Sequence, residues 1–248
     1  MTLPTRHFII TGTTSGIGAQ LAKDLLEQGA NVYGIARRTP QELASYGTYQ
    51  HFSFDLSKLT DIEGLVNQIC ERLEERKAEF ICLVNNASML EPLLPIEQCS
   101  SDDLINNIQI GLLAPMMLTS AFIKSTSHIH ARRKVVNITS GSGSYPAPGM
   151  SSYCSAKAGL NMFTQCVGLE QQNQMNPVEV IAVIPGMVDT EMQVIARSKD
   201  EHSFAMASLF RQVHDAGQLI TPKALSQHLQ RIIENHYSNG QIVTYNEA

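Results

Sequence analysis

The chain of 248 residues is long enough for one α/β domain of ordinary size, and we expect a single domain over residues 1–248. Hydrophobic residues make up 43% of the chain beside 16 glycines and 10 prolines, a composition that excludes disordered and fibrous proteins. The 18 basic and 23 acidic residues give a net charge of −5, so nucleic acid is not an expected partner.

The cysteines and histidines give no pattern of a disulfide framework or a metal site. The five cysteines are odd in number and lie at least 12 positions apart, so no CxxC pair is present. His128 and His130 are two positions apart, and helical side chains at that spacing do not face one another. The N-terminus and the longest apolar stretch, 111–123, are too short for a secretory signal or a membrane span. We therefore expect a cytoplasmic protein with no metal and no membrane partner.

Short apolar runs alternate with longer segments of helical periodicity, the pattern of βαβ units around a parallel sheet. Buried strands are predicted at residues 8–11, 31–35, 51–54, 80–84, 134–139, 178–184 and 241–244. Helices are predicted at residues 17–28, 59–77, 101–124, 152–171 and 222–237. The sequence therefore predicts a doubly wound α/β domain of the Rossmann type, with a seven-stranded parallel sheet and helices on both faces.

One segment, residues 187–219, does not fit this alternation, because it joins a strand to the last helix over an unusually long distance. Its apolar residues could face a substrate or simply dock the segment on the core: Met187, Met192, Ile195, Phe204, Met206, Leu209 and Phe210. Long insertions at the carboxyl edge of a parallel sheet often close over a ligand, so we predict a substrate lid here.

A glycine-rich turn, residues 11–18, joins the first strand to the first helix. Gly12 permits a tight turn, Gly16 lets the backbone approach a pyrophosphate, and Gly18 allows close helix packing. The GxxxGxG spacing differs from the general GxGxxG fingerprint, but its position before a helix favours nucleotide binding over a purely structural turn. The residues expected to contact the nucleotide here are Gly12, Thr14, Ser15, Gly16, Ile17 and Gly18.

The second strand is followed by Arg37 and Arg38, where an NAD enzyme would usually offer a carboxylate to the ribose 2′-hydroxyl. Arginine is suited instead to a 2′-phosphate, since its guanidinium forms charge-assisted hydrogen bonds with phosphate. The sequence therefore favours NADP(H) as the cofactor, the alternative being two solvated arginines in a loop.

Tyr153 and Lys157 are four residues apart and so share one face of a helix. Ser140 lies thirteen positions earlier, just after a predicted strand, where its hydroxyl can be presented beside the tyrosine. Chance alone predicts only about 0.02 such triples in a chain of this composition. A phenol next to an ammonium group is suited to proton transfer, with the ammonium expected to lower the pKa of the phenol.

These motifs together resemble the short-chain dehydrogenase/reductase family from end to end. The motifs in the order and spacing of that family are TGxxxGxG, Asp55-Leu56, Asn85-Asn86-Ala87, Ser140, Tyr153/Lys157 and Pro185-Gly186. Within the family, residues 112–115, 161–166 and 185–193 resemble the bacterial NADPH-dependent benzil reductases, which are similar to sepiapterin reductases.

The resemblance implies an NADPH-dependent reductase of a ketone or 1,2-diketone of the benzil type. Ser140, Tyr153 and Lys157 would be catalytic, with Tyr153 giving a proton to the carbonyl oxygen that Ser140 holds. Further cofactor contacts implied are Asp55, Leu56, Asn85, Ala87, Tyr153, Lys157, Pro185, Gly186, Val188 and Thr190. The partners implied are a small carbonyl substrate and a second copy of the chain, as a homodimer or homotetramer.

The chain departs from the family at two positions. Gly111 stands where the family carries an asparagine that sustains a proton-relay water, with Asn106, Asn107 and Gln109 as poor substitutes, and Ser88 replaces a glycine. We expect weakened catalysis, and we expect Gly111→Asn to raise turnover and stabilise the helix by about 0.5 kcal/mol. Two alternatives stay open: a reductase of pterin ketones similar to sepiapterin reductase, and a non-catalytic NADPH-binding sensor or scaffold.

Overall fold

The computed structural model describes residues 5–74 and 78–245. Its strands form one parallel sheet in the order β3-β2-β1-β4-β5-β6-β7. They are β1 (Arg6–Thr11), β2 (Asn31–Ala36), β3 (Tyr49–Ser53), β4 (Phe80–Asn85), β5 (Arg132–Ile138), β6 (Glu179–Ile184) and β7 (Ile242–Thr244). The single-domain Rossmann fold with a seven-stranded parallel sheet is confirmed.

Helices lie on both faces of this sheet. They are α1 (Gly16–Glu27), α2 (Ile62–Glu74), α3 (Ser101–Ile108), α4 (Ala114–Ser125), α5 (Ser151–Gln171), α6 (Glu191–Ser198), α7 (Ala207–Asp215) and α8 (Pro222–Glu234). One core, between the sheet and α2, α4 and α5, includes Ile9, Leu83, Ile69 and Phe122. The other, between the sheet and α1 and α8, includes Phe8, Ile10, Leu25 and Leu229. The strands therefore read as continuous apolar runs because both of their faces are covered.

The predicted helix at 101–124 is wrong as a single α-helix. It is divided by a π-helical segment, Gln109–Leu113, between α3 and α4. By length and composition alone Ser101–Ser125 could cross a membrane, a test that the core helix of a soluble protein also passes. Here α4 packs on α2 and contributes Leu118 and Phe122 to the core, which accounts for its apolar character.

Several predicted bounds are corrected by backbone geometry. The third strand occupies Tyr49–Ser53 rather than 51–54, because Tyr49 already pairs with Val32 of β2. The helix predicted at 59–77 begins with a 3₁₀ turn, Leu59–Asp61, and residues 75–77 lie outside the described residues. The last helix ends at Glu234 instead of 237, since Asn235 takes an extended conformation.

Candidate active site

The candidate site lies at the carboxyl ends of the strands, on either side of the boundary between β1 and β4. The chain builds the sheet outward from β1 to β3 and then crosses to β4 on the other side of β1. Open α/β sheets bind ligands at such a switch point, because the two adjacent connections leave on opposite faces and open a crevice. The predicted site residues follow these strand ends.

The glycine-rich turn has the backbone geometry that its sequence predicts. Gly12 and Gly16 have φ values of +76° and +58°, in the region that favours glycine. A Cβ on Gly18 would lie 2.4 Å from the carbonyl oxygen of Gly12, so α1 packs directly against the turn. Ser15 is the N-cap residue of α1, but its side chain makes no capping hydrogen bond. The first N–H groups of α1 therefore have no side-chain cap.

Asn86 forms hydrogen bonds with this turn, a role that the sequence analysis did not predict. Its Nδ2 donates to the carbonyl oxygen of Thr11 at 2.9 Å, and its backbone N–H donates to Thr11 Oγ1 at 2.9 Å. The N–H of Ala87 donates to the same hydroxyl at 2.9 Å. The family motif Asn85-Asn86-Ala87 contained this signal, but only the first and third residues were assigned to the site.

Asn85 is directed into the core instead of into the cleft. Its side chain is buried, and Nδ2 donates to Thr119 Oγ1 at 3.1 Å and to Asn137 Oδ1 at 2.8 Å. Ala87 is half-buried, and the next residue, Ser88, has a buried hydroxyl with no hydrogen-bond partner among the described residues. We therefore still predict a contact between Asn85 and an adenosine, but only through the backbone of Asn85.

The residues predicted around a ribose 2′-phosphate lie beyond β2 and β3. Arg37 and Arg38 are exposed, and neither guanidinium donates a hydrogen bond to a residue within 5–74 or 78–245. Asp55 Oδ1 accepts hydrogen bonds from the backbone N–H and hydroxyl of Ser57, at 3.0 and 2.9 Å. The pKa of Asp55 is lowered, first by the Ser57 N–H and also by the charge of Arg37. Leu56 is buried in the core beside it.

Ser140, Tyr153 and Lys157 come together at the carboxyl end of β5. Ser140 follows β5, while Tyr153 and Lys157 lie on the first two turns of α5. The phenol of Tyr153 lies beside the hydroxyl of Ser140, which lowers the pKa of the phenol, and this hydroxyl accepts a hydrogen bond from the N–H of Ser142 at 3.1 Å. Lys157 Nζ lies 5.6 Å from the centre of the Tyr153 ring and donates to the carbonyl oxygen of Ile138 at 3.0 Å. The spacing of the three residues in the sequence therefore becomes one cluster.

Burial sets the protonation of this cluster. It raises the pKa of Tyr153 above its ordinary value, and the interaction with the Ser140 hydroxyl offsets only part of that rise. It also lowers the pKa of Lys157 to about 8. The expected lowering of the phenol pKa by Lys157 is therefore wrong for this geometry, because desolvation of the phenolate dominates. Tyr153 stays protonated at neutral pH, the state that a proton donor needs.

The connection after β6 meets the glycine-rich turn across the cleft. Pro185 and Val188 are buried, and Gly186 has a φ of +76°. Thr190 is the N-cap residue of α6, and its Cγ2 would lie 3.2 Å from a Cβ on Gly16. Residues 185–190 and 11–18 thus form two walls of one crevice.

The segment 187–219 contains two helices, α6 and α7, that the sequence did not predict. Phe204, Ala196 and Ala207 are fully buried in an apolar cluster that also contains Tyr153. The other members of this cluster, which we call the Tyr153 cluster, are Leu90, Leu93 and Met150, with Ala147, Cys154, Met192, Ile195, Met206 and Phe210 partly buried around it. Docking on the core is therefore confirmed for Phe204, while contact with a substrate remains a prediction for the half-buried residues.

An ion pair joins this segment to the loop after β4. Lys199 Nζ, just beyond α6, lies 3.2 Å from Glu91 Oε1. The backbone of Glu91 is held in turn by Asn107, whose Nδ2 donates to the carbonyl oxygens of Met89 and Glu91 at 3.1 and 2.7 Å. The ion pair therefore links the end of α6 to the loop after β4.

Gly111 lies in the π-helical segment against α5. A Cβ here would lie 3.0 Å from Ala156 Cβ and 3.9 Å from Asn107 Oδ1. Asn107 Oδ1 is buried without a hydrogen-bond partner among the described residues. Asn106, Asn107 and Gln109 were the proposed substitutes for an asparagine at position 111. Of these three, Asn107 has its side chain beside Gly111.

The chain was compared with known proteins. A family model described as short chain dehydrogenase matches residues 6–201. The chain is 36% identical over 248 residues to a benzil reductase ((S)-benzoin forming) of Bacillus cereus, covering 98% of this chain and 100% of the relative. It is 35% identical over 240 residues to the Bacillus subtilis protein of the same name, covering 97% and 98%. A short chain dehydrogenase/reductase structure from Saccharomyces cerevisiae matches with a TM-score of 0.83 and 24% identity, covering 98% of this chain and 96% of the other.

Proposed function

The chain belongs to the short-chain dehydrogenase/reductase family and is an oxidoreductase of carbonyl and CH–OH groups, and we propose that it is an NADPH-dependent carbonyl reductase. Its substrate is a ketone or 1,2-diketone, and the reduction of benzil to benzoin is the reaction to test first. The observation that carries this proposal is the cluster of Ser140, Tyr153 and Lys157, in a chain related over nearly its whole length to two benzil reductases.

The crevice fits a dinucleotide. The uncapped start of α1 offers N–H groups to a pyrophosphate, and Gly16 leaves a narrow gap toward Thr190 that a side chain would fill. The residues that would hold the cofactor are Gly12, Thr14, Ser15, Gly16, Ile17, Gly18, Arg37, Arg38, Asp55, Leu56, Asn85, Ala87, Tyr153, Lys157, Pro185, Gly186, Val188 and Thr190. When bound, NADPH supplies the hydride.

Arg37 and Arg38 support NADPH over NADH. Both guanidinium groups are exposed at the end of β2 without a hydrogen bond to another described residue, so their donors are available to a phosphate. Asp55 is not in the place of the missing carboxylate of an NAD enzyme, because it follows β3 and not β2.

The reacting carbonyl oxygen would lie between Tyr153 and Ser140. Tyr153, neutral because of its burial, donates its phenolic proton to this oxygen, and Ser140 donates a hydrogen bond to the same atom. Among the described residues Lys157 Nζ donates one hydrogen bond, to Ile138, which leaves two N–H groups for a ribose and for the phenolate that forms.

The substrate would lie against the Tyr153 cluster under the lid. The cluster brings aliphatic, aromatic and sulfur-containing side chains together around the phenol. Such a wall favours an uncharged, aromatic ketone over an anionic one, since burying an unpaired charge is costly. The ion pair between Glu91 and Lys199 would hold the lid in place over it.

We also propose a homodimer or homotetramer, formed through the helices at 101–125 and 151–171. Large apolar side chains are exposed on α3, α4, the π-helical segment and α5: Ile105, Leu113, Met117, Met162 and Leu169. Exposed apolar residues on neighbouring helices are typical of an interface between subunits.

The cofactor preference tests the proposal. We expect the unmodified protein to consume NADPH with a panel of aromatic diketones and ketones, and Arg37→Asp to shift its kcat/KM from NADPH toward NADH. Charge-assisted hydrogen bonds to phosphate contribute about 1.5 to 3 kcal/mol, or roughly ten- to a hundredfold in affinity. Equal kcat/KM with both cofactors would contradict the assignment of Arg37.

NADPH binding without turnover of any panel member would favour the sensor alternative, and turnover of pterin ketones alone would favour the sepiapterin-like one.

A further inference from the structure

Gln193 carries a buried amide that the protein itself does not satisfy. It lies on α6 with 5% of its surface exposed, and its side chain forms no hydrogen bond with another residue in the described part of the chain. Its Oε1 is completely buried without a partner. Buried polar groups in native proteins are nearly always hydrogen-bonded, so an amide without a protein partner is available to a ligand that reaches it.

The amide lies on the face of α6 that is turned toward Tyr153. Gln193 and Ala196 are the buried residues of this helix, three positions apart and therefore neighbours on one face. Ala196 belongs to the Tyr153 cluster, and Met192 packs against the same cluster from the preceding position. The helix starts at Thr190, beside Gly16 of the glycine-rich turn. Gln193 thus lies on the buried face of a helix whose N-cap residue is beside the glycine-rich turn and whose Ala196 belongs to the Tyr153 cluster.

The primary amide of Gln193 adds a polar group beside the apolar side chains of the Tyr153 cluster. It offers N–H donors to a carbonyl oxygen and a carbonyl acceptor to a hydroxyl group. A 1,2-diketone has a second carbonyl oxygen on the carbon next to the one that is reduced, and an α-hydroxy ketone, taken as a substrate, has a hydroxyl group on that carbon. A ketone with a single oxygen would leave the amide unpaired, and such a site discriminates strongly against it.

We propose that Gln193 is a specificity-determining residue that binds the oxygen on the carbon next to the reduced carbonyl, and so selects vicinal diketones and α-hydroxy ketones. This inference rests on the proposed function, since it assumes that Tyr153 and Ser140 hold the other oxygen. Two attachment points also fix which face of the carbonyl is presented, so Gln193 contributes to the stereochemistry of the product.

The test compares benzil with deoxybenzoin, which has the same two phenyl groups and lacks the second oxygen. Gln193→Leu keeps a similar volume and removes the amide. We expect its kcat/KM for benzil to fall by about tenfold or more, its kcat/KM for deoxybenzoin to change less than about twofold, and the enantiomeric excess of the benzoin to decrease. Val194→Ala, on the exposed side of the same helix, is the matched control and should leave both values unchanged.

The outcomes separate this inference from the proposed function. Equal losses for the two ketones, or a weaker affinity for NADPH as the only change, would overturn the role of Gln193 and leave the reductase standing. If the unmodified protein reduces neither ketone, the proposed function fails. Calorimetry with NADP⁺-saturated protein then decides the inference, because equal affinities of Gln193→Leu and the unmodified protein for benzil would overturn it too.

Discussion

At the scale of single residues, the spacing of Ser140, Tyr153 and Lys157 was sufficient to predict that they meet. A strand end and one helix face impose that geometry whatever the surrounding residues are. The pKa of the phenol could not be predicted in the same way, because it depends on how deeply the fold buries Tyr153. Gln193 was missed for a similar reason, since a glutamine in a lid segment has no sequence signal until its burial is known.

Lys157 makes the stability of the protein depend on pH. Its pKa is about 8 in the folded state against an ordinary value of 10.5, so between these pH values the unfolded chain binds the extra proton. Stability therefore rises as the pH increases from 8 to 10.5, by on the order of 3 kcal/mol at most. We expect denaturant unfolding of Lys157→Met to lack this rise. A constant difference in unfolding free energy between the two proteins across this pH range would contradict the burial of a titrating Lys157.

The structure contradicts the gain in stability that the sequence analysis expected for Gly111→Asn. Because a Cβ at position 111 would lie 3.0 Å from Ala156 Cβ, the substitution crowds α5 beside Lys157. We expect a lower melting temperature, corresponding to about 1 kcal/mol, instead of a gain. Gly111→Asn combined with Ala156→Gly should show a favourable coupling in a double-mutant cycle. Additive melting temperatures would contradict the clash, and turnover measured in the double variant tests the effect of the amide without the crowding.

At the scale of elements, close contacts between backbones help to determine where a helix breaks, and hydrophobic periodicity alone does not predict such a break. The break in the helix 101–124 occurs at Gly111 and just before Pro115, both poor helix formers, where the π-helical segment packs Gly111 on Ala156 and Leu112 on Gly159. The helices α6 and α7 are short and were hidden in a long connection, because their apolar residues face one local cluster and not the sheet. The strands, in contrast, were predictable because both sheet faces are covered.

Two glycines in helices should respond in opposite ways to alanine. A Cβ on Gly168 in α5 would lie 2.2 Å from the backbone N of Gly240, so Gly168→Ala must push α5 away from the turn before β7. We expect a loss of about 1 to 3 kcal/mol in unfolding free energy. Gly64 in α2 has no atom within 4 Å of such a Cβ, and Gly64→Ala should gain about 0.5 to 1 kcal/mol. Thermal unfolding of both variants checks this contrast, and a stabilised Gly168→Ala would show that the contact with Gly240 is wrong.

At the scale of the whole molecule, the alternation of strands and helices predicted the sheet and hence the edge where the site lies. A parallel sheet with a switch point between β1 and β4 brings residues 11–18, 140–157 and 185–190 to one crevice whatever their separation in the chain. What the sequence could not show is which side chains of a motif face the crevice. The side chain of Asn85 points into the core, whereas the side chain of Asn86 donates a hydrogen bond to the glycine-rich turn.

The central claim is that Tyr153 donates the proton in an NADPH-dependent carbonyl reduction. The most direct measurement is the steady-state turnover of benzil at saturating NADPH by the unmodified protein and by Tyr153→Phe. We predict formation of benzoin by the unmodified protein, and a turnover lower by about 10² to 10⁴ in the variant, with melting temperature and NADPH affinity nearly unchanged. A variant that keeps more than about a tenth of the turnover would contradict the role of Tyr153. Failure of the unmodified protein to reduce benzil or any related ketone would contradict the proposed reaction itself.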